Sequence, residues 1–201
     1  MKLPWVVAVT GASGSVFARR LLQCLWQADC EVHLAISPAG AEVFFQELGL
    51  KLDLTAFRPE ELLGGESNRA TKLHFHQYLD LLAPIASGSF RTAGMIICPC
   101  SGGTLSAIAH GTDQNLIQRA ASVHLKERRK LILVPRETPL SLPMIENMRS
   151  ATLAGAVILP AAPGWYHKPN SLDDLVDFVV ARILDQADIP HTLSRRWREE
   201  G

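Results

Sequence analysis

Short runs of apolar, largely β-branched residues punctuate the chain at Val6 to Val9, Val32 to Ile36, Met95 to Cys98, Leu131 to Val134 and Ala156 to Leu159. Between them lie longer stretches with helical spacing: Val16 to Ala28, Ala39 to Leu48, Asn115 to Arg128, Ser141 to Leu153 and Leu172 to Ala187. Strand-like runs alternating with helical segments predict a parallel sheet with crossover helices. Lys72 to His76 alternates in polarity and is a sixth strand candidate, suited to a sheet edge. The pattern fits a three-layer α/β/α Rossmann-like fold with about six parallel strands in the order 3-2-1-4-5-6. Pro59 to Arg69, rich in turn formers and charge, reads as a surface loop. The apolar period is lost from Asp188 onward, so residues 1–187 form one expected domain and 188–201 a C-terminal tail.

Composition narrows the function classes. A chain of 201 residues with 47% apolar content can bury the core of a single domain. Twenty basic and twenty acidic residues cancel, so no bulk positive field points to nucleic acid or to an anionic membrane. No apolar run has the length of a membrane span or of a signal-peptide core, and a cytoplasmic location is expected. The four cysteines (Cys24, Cys30, Cys98, Cys100) lack disulfide-scaffold density. Cys98-Pro99-Cys100 has no second pair to complete a zinc site, and packing is its expected role.

In an open sheet of this class, ligands bind at the carboxyl ends of the strands. The first strand leads into Thr10-Gly11-Ala12-Ser13-Gly14-Ser15. That glycine-bearing turn opens a helix and can present backbone N–H groups to a phosphate, although the spacing does not complete G-x-G-x-x-G. Ser37 ends the second strand and either meets a ligand or caps a helix. Ser101 and Thr104, in Ser101-Gly102-Gly103-Thr104, present the same alternatives. Arg136 and Glu137 stand between Pro135 and Pro139 and supply a cationic fork and a carboxylate, or else a surface ion pair. Trp165 and Tyr166 sit in a Pro/Gly-restrained loop, where exposed aromatics usually contact something. Arg128 and Arg129 at a helix C-terminus need no function beyond solvation and the dipole. Arg182, among Val179, Val180, Ile183 and Leu184, is better placed to serve a buried anion or an interface. His74 and His76 share a strand face and could chelate a metal, but no third ligand is evident in sequence, and a structural role is expected.

Several of these segments recur in order and spacing in one family. Thr10-Gly11-Ala12-Ser13-Gly14, Ser37, Ala86-Ser87-Gly88-Ser89, Cys98-Pro99-Cys100-Ser101, Thr104, Asn115-Leu116-Ile117, Arg119-Ala120, Leu125-Lys126-Glu127-Arg128-Arg129, Pro135-Arg136-Glu137-Thr138-Pro139 and Tyr166-His167 followed by Pro169 resemble the flavin prenyltransferase (UbiX) family. Its members were formerly labelled aromatic-acid decarboxylases. The resemblance implies a homo-dodecamer that joins the dimethylallyl group of dimethylallyl phosphate to reduced FMN at N5 and C6. The prenylated FMN would serve a UbiD-type decarboxylase, for example in ubiquinone biosynthesis, and no metal would be needed.

By the same resemblance, Gly11, Ala12, Ser13, Ser37, Ser89, Ser101, Thr104 and Arg136 contact FMN. Lys126, Arg136, Tyr166 and Arg182 hold the dimethylallyl phosphate. A Lys/Arg/Tyr cluster can stabilise the charge that develops on departing phosphate. Ser13 and Glu47 are implied to handle protons, Glu137 to assist the leaving phosphate, and Trp197 to stand beside the allyl cation. Glu47, Arg182 and Trp197 could reach a site shared between subunits, and the tail would pack on a neighbouring copy. Departures from the family pattern fall at Pro38, at Ser122 and at the lysine-free Ser101-to-Thr104 turn. The rival readings are an FMN-dependent cysteine-decarboxylase-like enzyme, a non-catalytic FMN carrier and an NAD-dependent oxidoreductase. The last would need an acidic residue after the second strand, where Ser37-Pro38 stands.

Overall fold

The computed structural model describes residues 2–64 and 72–193. Its six strands are β1 (Trp5–Val9), β2 (Val32–Ile36), β3 (Leu73–His76), β4 (Gly94–Cys100), β5 (Lys130–Pro135) and β6 (Val157–Ile158). They form one sheet in the order β3-β2-β1-β4-β5-β6, and every pairing is parallel. The expected class and order are therefore present, with β3 at one edge.

Strand periodicity divides the core between two faces. Val7 and Val9 of β1 pack with Leu21, Leu22 and Leu25 of α1 (Ser15–Gln27), Phe44 of α2 (Pro38–Leu48) and Val179, Val180 and Ile183 of α7 (Leu172–Gln186). Val6 and Ala8 face the other way. They join Leu105 and Ile108 of α4 (Gly102–Ala109), Leu116, Ile117 and Ala120 of α5 (Leu116–Lys126), and Met144 and Ala151 of α6 (Leu142–Leu153). Ala18, Leu21, Leu22 and Leu25 recur at the spacing of one helical face, which is why α1 lies flat on the sheet. Full burial of each large aliphatic side chain contributes about 1.5–3 kcal/mol, so a charge at Leu21 or Ile96, both wholly buried, would unseat a layer.

The segment expected to be a loop from Pro59 contains a short helix, α3 (Pro59–Leu63), which buries Leu62 and Leu63. Helix α4 lies outside the expected helical stretches, although a cap at Ser101 was one of the two expected readings: Gly102-Gly103-Thr104-Leu105-Ser106-Ala107 carries little amphipathic signal, and of its residues Leu105 and Ile108 are buried. Helix α5 stops at Lys126, and Arg128 adopts φ 55. The body continues past the expected boundary at 187: Ile189 is buried, and Lys130 pairs with Asp188 at 2.6 Å. Residues 194–201, with Trp197 and most of the expected tail, lie outside the described residues.

Candidate active site

Strand order reverses between β1 and β4, and their carboxyl ends are tied together. The Thr10 hydroxyl donates to the Pro99 carbonyl at 2.9 Å and accepts the Ser101 N–H at 2.7 Å, while the Thr10 N–H donates to the same carbonyl at 3.2 Å. A side chain at Gly11 would place its Cβ 2.6 Å from that of Ala39, so this turn packs directly on the start of α2. Gly14 precedes α1 at φ 116, a conformation that glycine adopts without strain.

No side chain on the Gly11–Ser15 turn caps α1; the cap comes from α2. Both oxygens of Glu47 accept the Gly14 N–H at 3.0 Å, and Oε2 also accepts the Ser15 N–H at 2.8 Å and the Ser15 hydroxyl at 2.7 Å. Ser13 adds a hydroxyl hydrogen bond. Partial burial pushes the Glu47 pKa up, but the Ser13, Ser15 and backbone donors outweigh it and hold the carboxyl below its ordinary value. The sequence reading placed a ligand phosphate on this turn. Its Gly14 and Ser15 N–H groups are taken by the Glu47 carboxylate, which reaches over from α2.

The serines ending β2 and β4 are helix caps, one of the two alternatives their positions left open. Ser37 accepts the Gly40 N–H at 3.0 Å, and Ser101 accepts the Thr104 N–H at 3.3 Å while donating to the Thr104 hydroxyl at 3.0 Å. They stand on the same sheet edge as Gly11, Ala12, Ser13 and Glu47. Arg136 follows β5 on this edge and is half-buried. Its Nε is shut off from solvent with no hydrogen-bond partner among the described residues. Glu137 is exposed, and its carboxylate accepts the Thr138 N–H at 3.2 Å.

Ser89 and Lys126 occupy the opposite edge. Lys126 ends α5 just before β5 begins, and it pairs with Glu127. A Cβ at Gly88 would lie 2.7 Å from the Lys126 Nζ, so the Ser87–Ser89 loop sits against this pair. The Ser89 hydroxyl shares a 2.9 Å hydrogen bond with that of Ser87. β5 spans roughly 17 Å at 3.3 Å per residue and separates Lys126 from Arg136. One copy of the chain therefore cannot bring Lys126 and Ser89 to the Arg136 edge.

Sequence reasoning also passed over what holds the loop. Arg129 donates to the carbonyls of Phe90, at 2.7 Å, and Gly88, and the Arg119 Nε donates to the Ala86 carbonyl at 3.1 Å. The Arg129 partners lie 39 and 41 residues upstream, so no local pattern marks them.

Tyr166 and Arg182 belong to a third region, beside α7. The Tyr166 ring meets Phe178 edge-on at 5.9 Å, and His167 stacks on Phe178 at 5.1 Å. Arg182 stands one turn further along α7, exposed and paired with Asp185 at 2.9 Å, so its apolar sequence neighbours do not bury it.

Cys98 and Cys100 are wholly buried. Burial pushes the Cys98 thiol up, reinforced by Cys100, and raises Cys100 to about 12, so neither supplies a thiolate. No helix among the described residues is long and apolar enough to cross a membrane.

The fold is that of a doubly wound α/β protein, and its carboxyl edge carries the half-buried Arg136, whose buried Nε has no partner among the described residues. The chain matches the Flavoprotein family over residues 1–184. It is 49% identical over 195 residues to the flavin prenyltransferase UbiX of Pseudomonas aeruginosa, covering 96% of this chain and 93% of that one. The crystal structure of AnUbiX in complex with FMN and dimethylallyl pyrophosphate superposes with a TM-score of 0.87 at 40% identity, covering 100% of both chains. The dodecameric FMN-dependent UbiX-like decarboxylase of Escherichia coli O157:H7 gives a TM-score of 0.84 at 40% identity, covering 98% of this chain and 100% of that one. This chain belongs to the flavin prenyltransferase (UbiX) family, a family of transferases.

Proposed function

We propose that this chain transfers the dimethylallyl group of dimethylallyl phosphate to reduced FMN and releases prenylated FMN to a UbiD-type decarboxylase. Family membership and the relative bound to FMN and dimethylallyl pyrophosphate support the reading. The observation that carries it is Arg136: a half-buried guanidinium whose buried Nε lacks a partner among the described residues suits an oxyanion brought by a substrate. The hydroxyls of Ser13, Ser37, Ser101 and Thr104 on the same edge, with the close-packed Gly11 and Ala12, suit a flavin and its phosphate. Reduced flavin supplies the electron-rich N5 and C6 as acceptor positions.

Arg136, with Lys126, Tyr166 and Arg182, binds the prenyl phosphate oxygens and stabilises their charge as the allylic C–O bond breaks, so no metal is required. Glu137 orients or protonates the departing phosphate. Glu47 remains a carboxylate and fixes the Ser13 hydroxyl, which makes Ser13 Oγ the atom that holds or passes a proton. Trp197, beyond the described residues, is assigned the flank of the allyl cation.

The same reading makes the enzyme a homo-dodecamer, as the E. coli relative is. Because Lys126 and Ser89 lie across the sheet from Arg136, a site that uses all three draws on more than one subunit. The rest of the tail, beyond the described residues, is assigned to a neighbouring copy. The test is anaerobic incubation of the reduced FMN complex with dimethylallyl phosphate, with a parallel arm using the pyrophosphate, followed by mass spectrometry of the extracted flavin. The expected result is a gain of one five-carbon prenyl unit. Unchanged flavin in both arms would overturn the proposal in favour of a flavin carrier.

A further inference from the structure

The amino edge of the sheet holds a cluster that the prenyl-transfer chemistry does not use. Glu31 immediately precedes β2, His33 lies on β2, and His74 and His76 lie on β3. His33 pairs with His74 and Ala35 with His76 in parallel register, so the three imidazoles project from one face. The Glu31 Oε1 is 3.3 Å from the His74 Nε2 and 3.6 Å from the His33 Nε2. One donor atom from each of Glu31, His33 and His74 lies within 4.8 Å of the other two. A tetrahedral zinc ion with bonds of about 2.0–2.1 Å sets its ligand atoms about 3.3 Å apart. Two edges of such a site are thus already close to length.

An independent observation points the same way. His33 is buried at 6% exposure, and its Nε2 is a buried atom with no hydrogen-bond partner among the described residues. Its other ring nitrogen, Nδ1, is 2.8 Å from the His76 Nε2, and the two rings are nearly parallel with centroids 5.0 Å apart. With the proton on His33 Nδ1 and donated to His76, the His33 Nε2 presents a lone pair between Glu31 and His74. A metal-bound histidine is ordinarily oriented in this way by a second group on its far nitrogen. The opposite tautomer would aim a buried N–H at Glu31 from 3.6 Å, too far for a hydrogen bond.

We propose that Glu31, His33 and His74 form a binding site for a divalent transition-metal ion, zinc by its two-imidazole, one-carboxylate donor set, with His76 as the positioning partner of His33. The His74 and Glu31 side chains are each nearly half exposed, which leaves the fourth coordination position to water and the ion free to exchange. Phe90 packs edge-on against His33 at 4.9 Å, so the site adjoins the loop that carries Ser89.

The experiment is calorimetric titration of zinc chloride into chelator-treated, dialysed protein, with cobalt(II) visible absorption as the readout of tetrahedral geometry. The expected result is one zinc per chain and a tetrahedral cobalt spectrum. His74→Ala and Glu31→Gln, at partly exposed positions, are each expected to keep the wild-type unfolding midpoint and to weaken zinc binding at least about tenfold. Absence of zinc binding by the wild type, or equal affinity in both variants, would overturn the proposal.

Discussion

Replacing Glu47 by alanine removes the acceptor of two backbone donors at the start of α1 and of two serine hydroxyls. Gly14 and Ser15 are buried, and Gly14 as N-cap has no side chain with which to substitute. A buried donor left without its partner costs about 1–3 kcal/mol. Because Glu47 itself is exposed, truncation admits water to both N–H groups, and the lower end applies to each. The expected loss is about 2 kcal/mol, at the top of the range for lost helix caps. For a chain of this length that corresponds to a fall in Tm of about 4–8 °C. Glu47→Gln keeps one oxygen acceptor but loses the charge, and about 1 kcal/mol is expected.

The pH dependence follows from the lowered carboxyl pKa. The folded value lies below the ordinary 4.5, so the stabilisation is fully present above pH 4.5 and is lost as pH falls through the folded value. The advantage of wild type over Glu47→Gln is therefore expected to vanish in strong acid. Calorimetric unfolding at fixed protein concentration, across that pH range, measures both effects. A Glu47→Ala protein within about 0.5 kcal/mol of wild type at neutral pH would refute the capping argument.

Arg136→Met is expected to lower prenyl transfer about 100-fold or more while leaving the unfolding midpoint unchanged, because the buried Nε bonds to nothing in the described fold; equal loss of stability and activity would contradict this. Mixing inactive Lys126→Ala and Arg136→Met proteins under subunit exchange should restore part of the activity if the site is shared between copies, and no recovery in proven mixed oligomers would oppose sharing. Gly11→Ala should cost about 1–3 kcal/mol by overpacking against Ala39, and Ala39→Gly in the same chain should recover much of it, as urea unfolding can measure. Cys98 and Cys100, buried with raised pKa values, should resist alkylation at pH 8 until the protein unfolds, whereas half-buried Cys30 reacts sooner; peptide mass spectrometry reads the order.

The strands were legible because those of a parallel sheet are buried on both faces, which leaves near-continuous apolar runs such as Val6 to Val9 and Leu131 to Val134. The amphipathic helices α1, α5 and α7 were legible for the matching reason, since one face of each meets the sheet. Of helix α4 only the cap at Ser101 was legible, because small residues erase the period beyond it. β6 is a pair, Val157–Ile158, inside a longer expected run, because it bonds to a single neighbour at the sheet edge.

Family motifs named Ser89, Lys126 and Arg136 together, but their order along the chain says nothing about which sheet edge each occupies. That depends on α5 running back across the sheet before β5 returns. Glu47 shows the same limit: its target lies 32 and 33 residues away and is reached only when α2 docks beside α1. His74 had no third ligand in sequence because Glu31 and His33 come from the neighbouring strand, brought alongside by register. The local pattern of burial was thus determined by sequence, since periodicity is a local property. Which donor meets which acceptor was decided by tertiary structure, because those contacts join residues that only packing brings together.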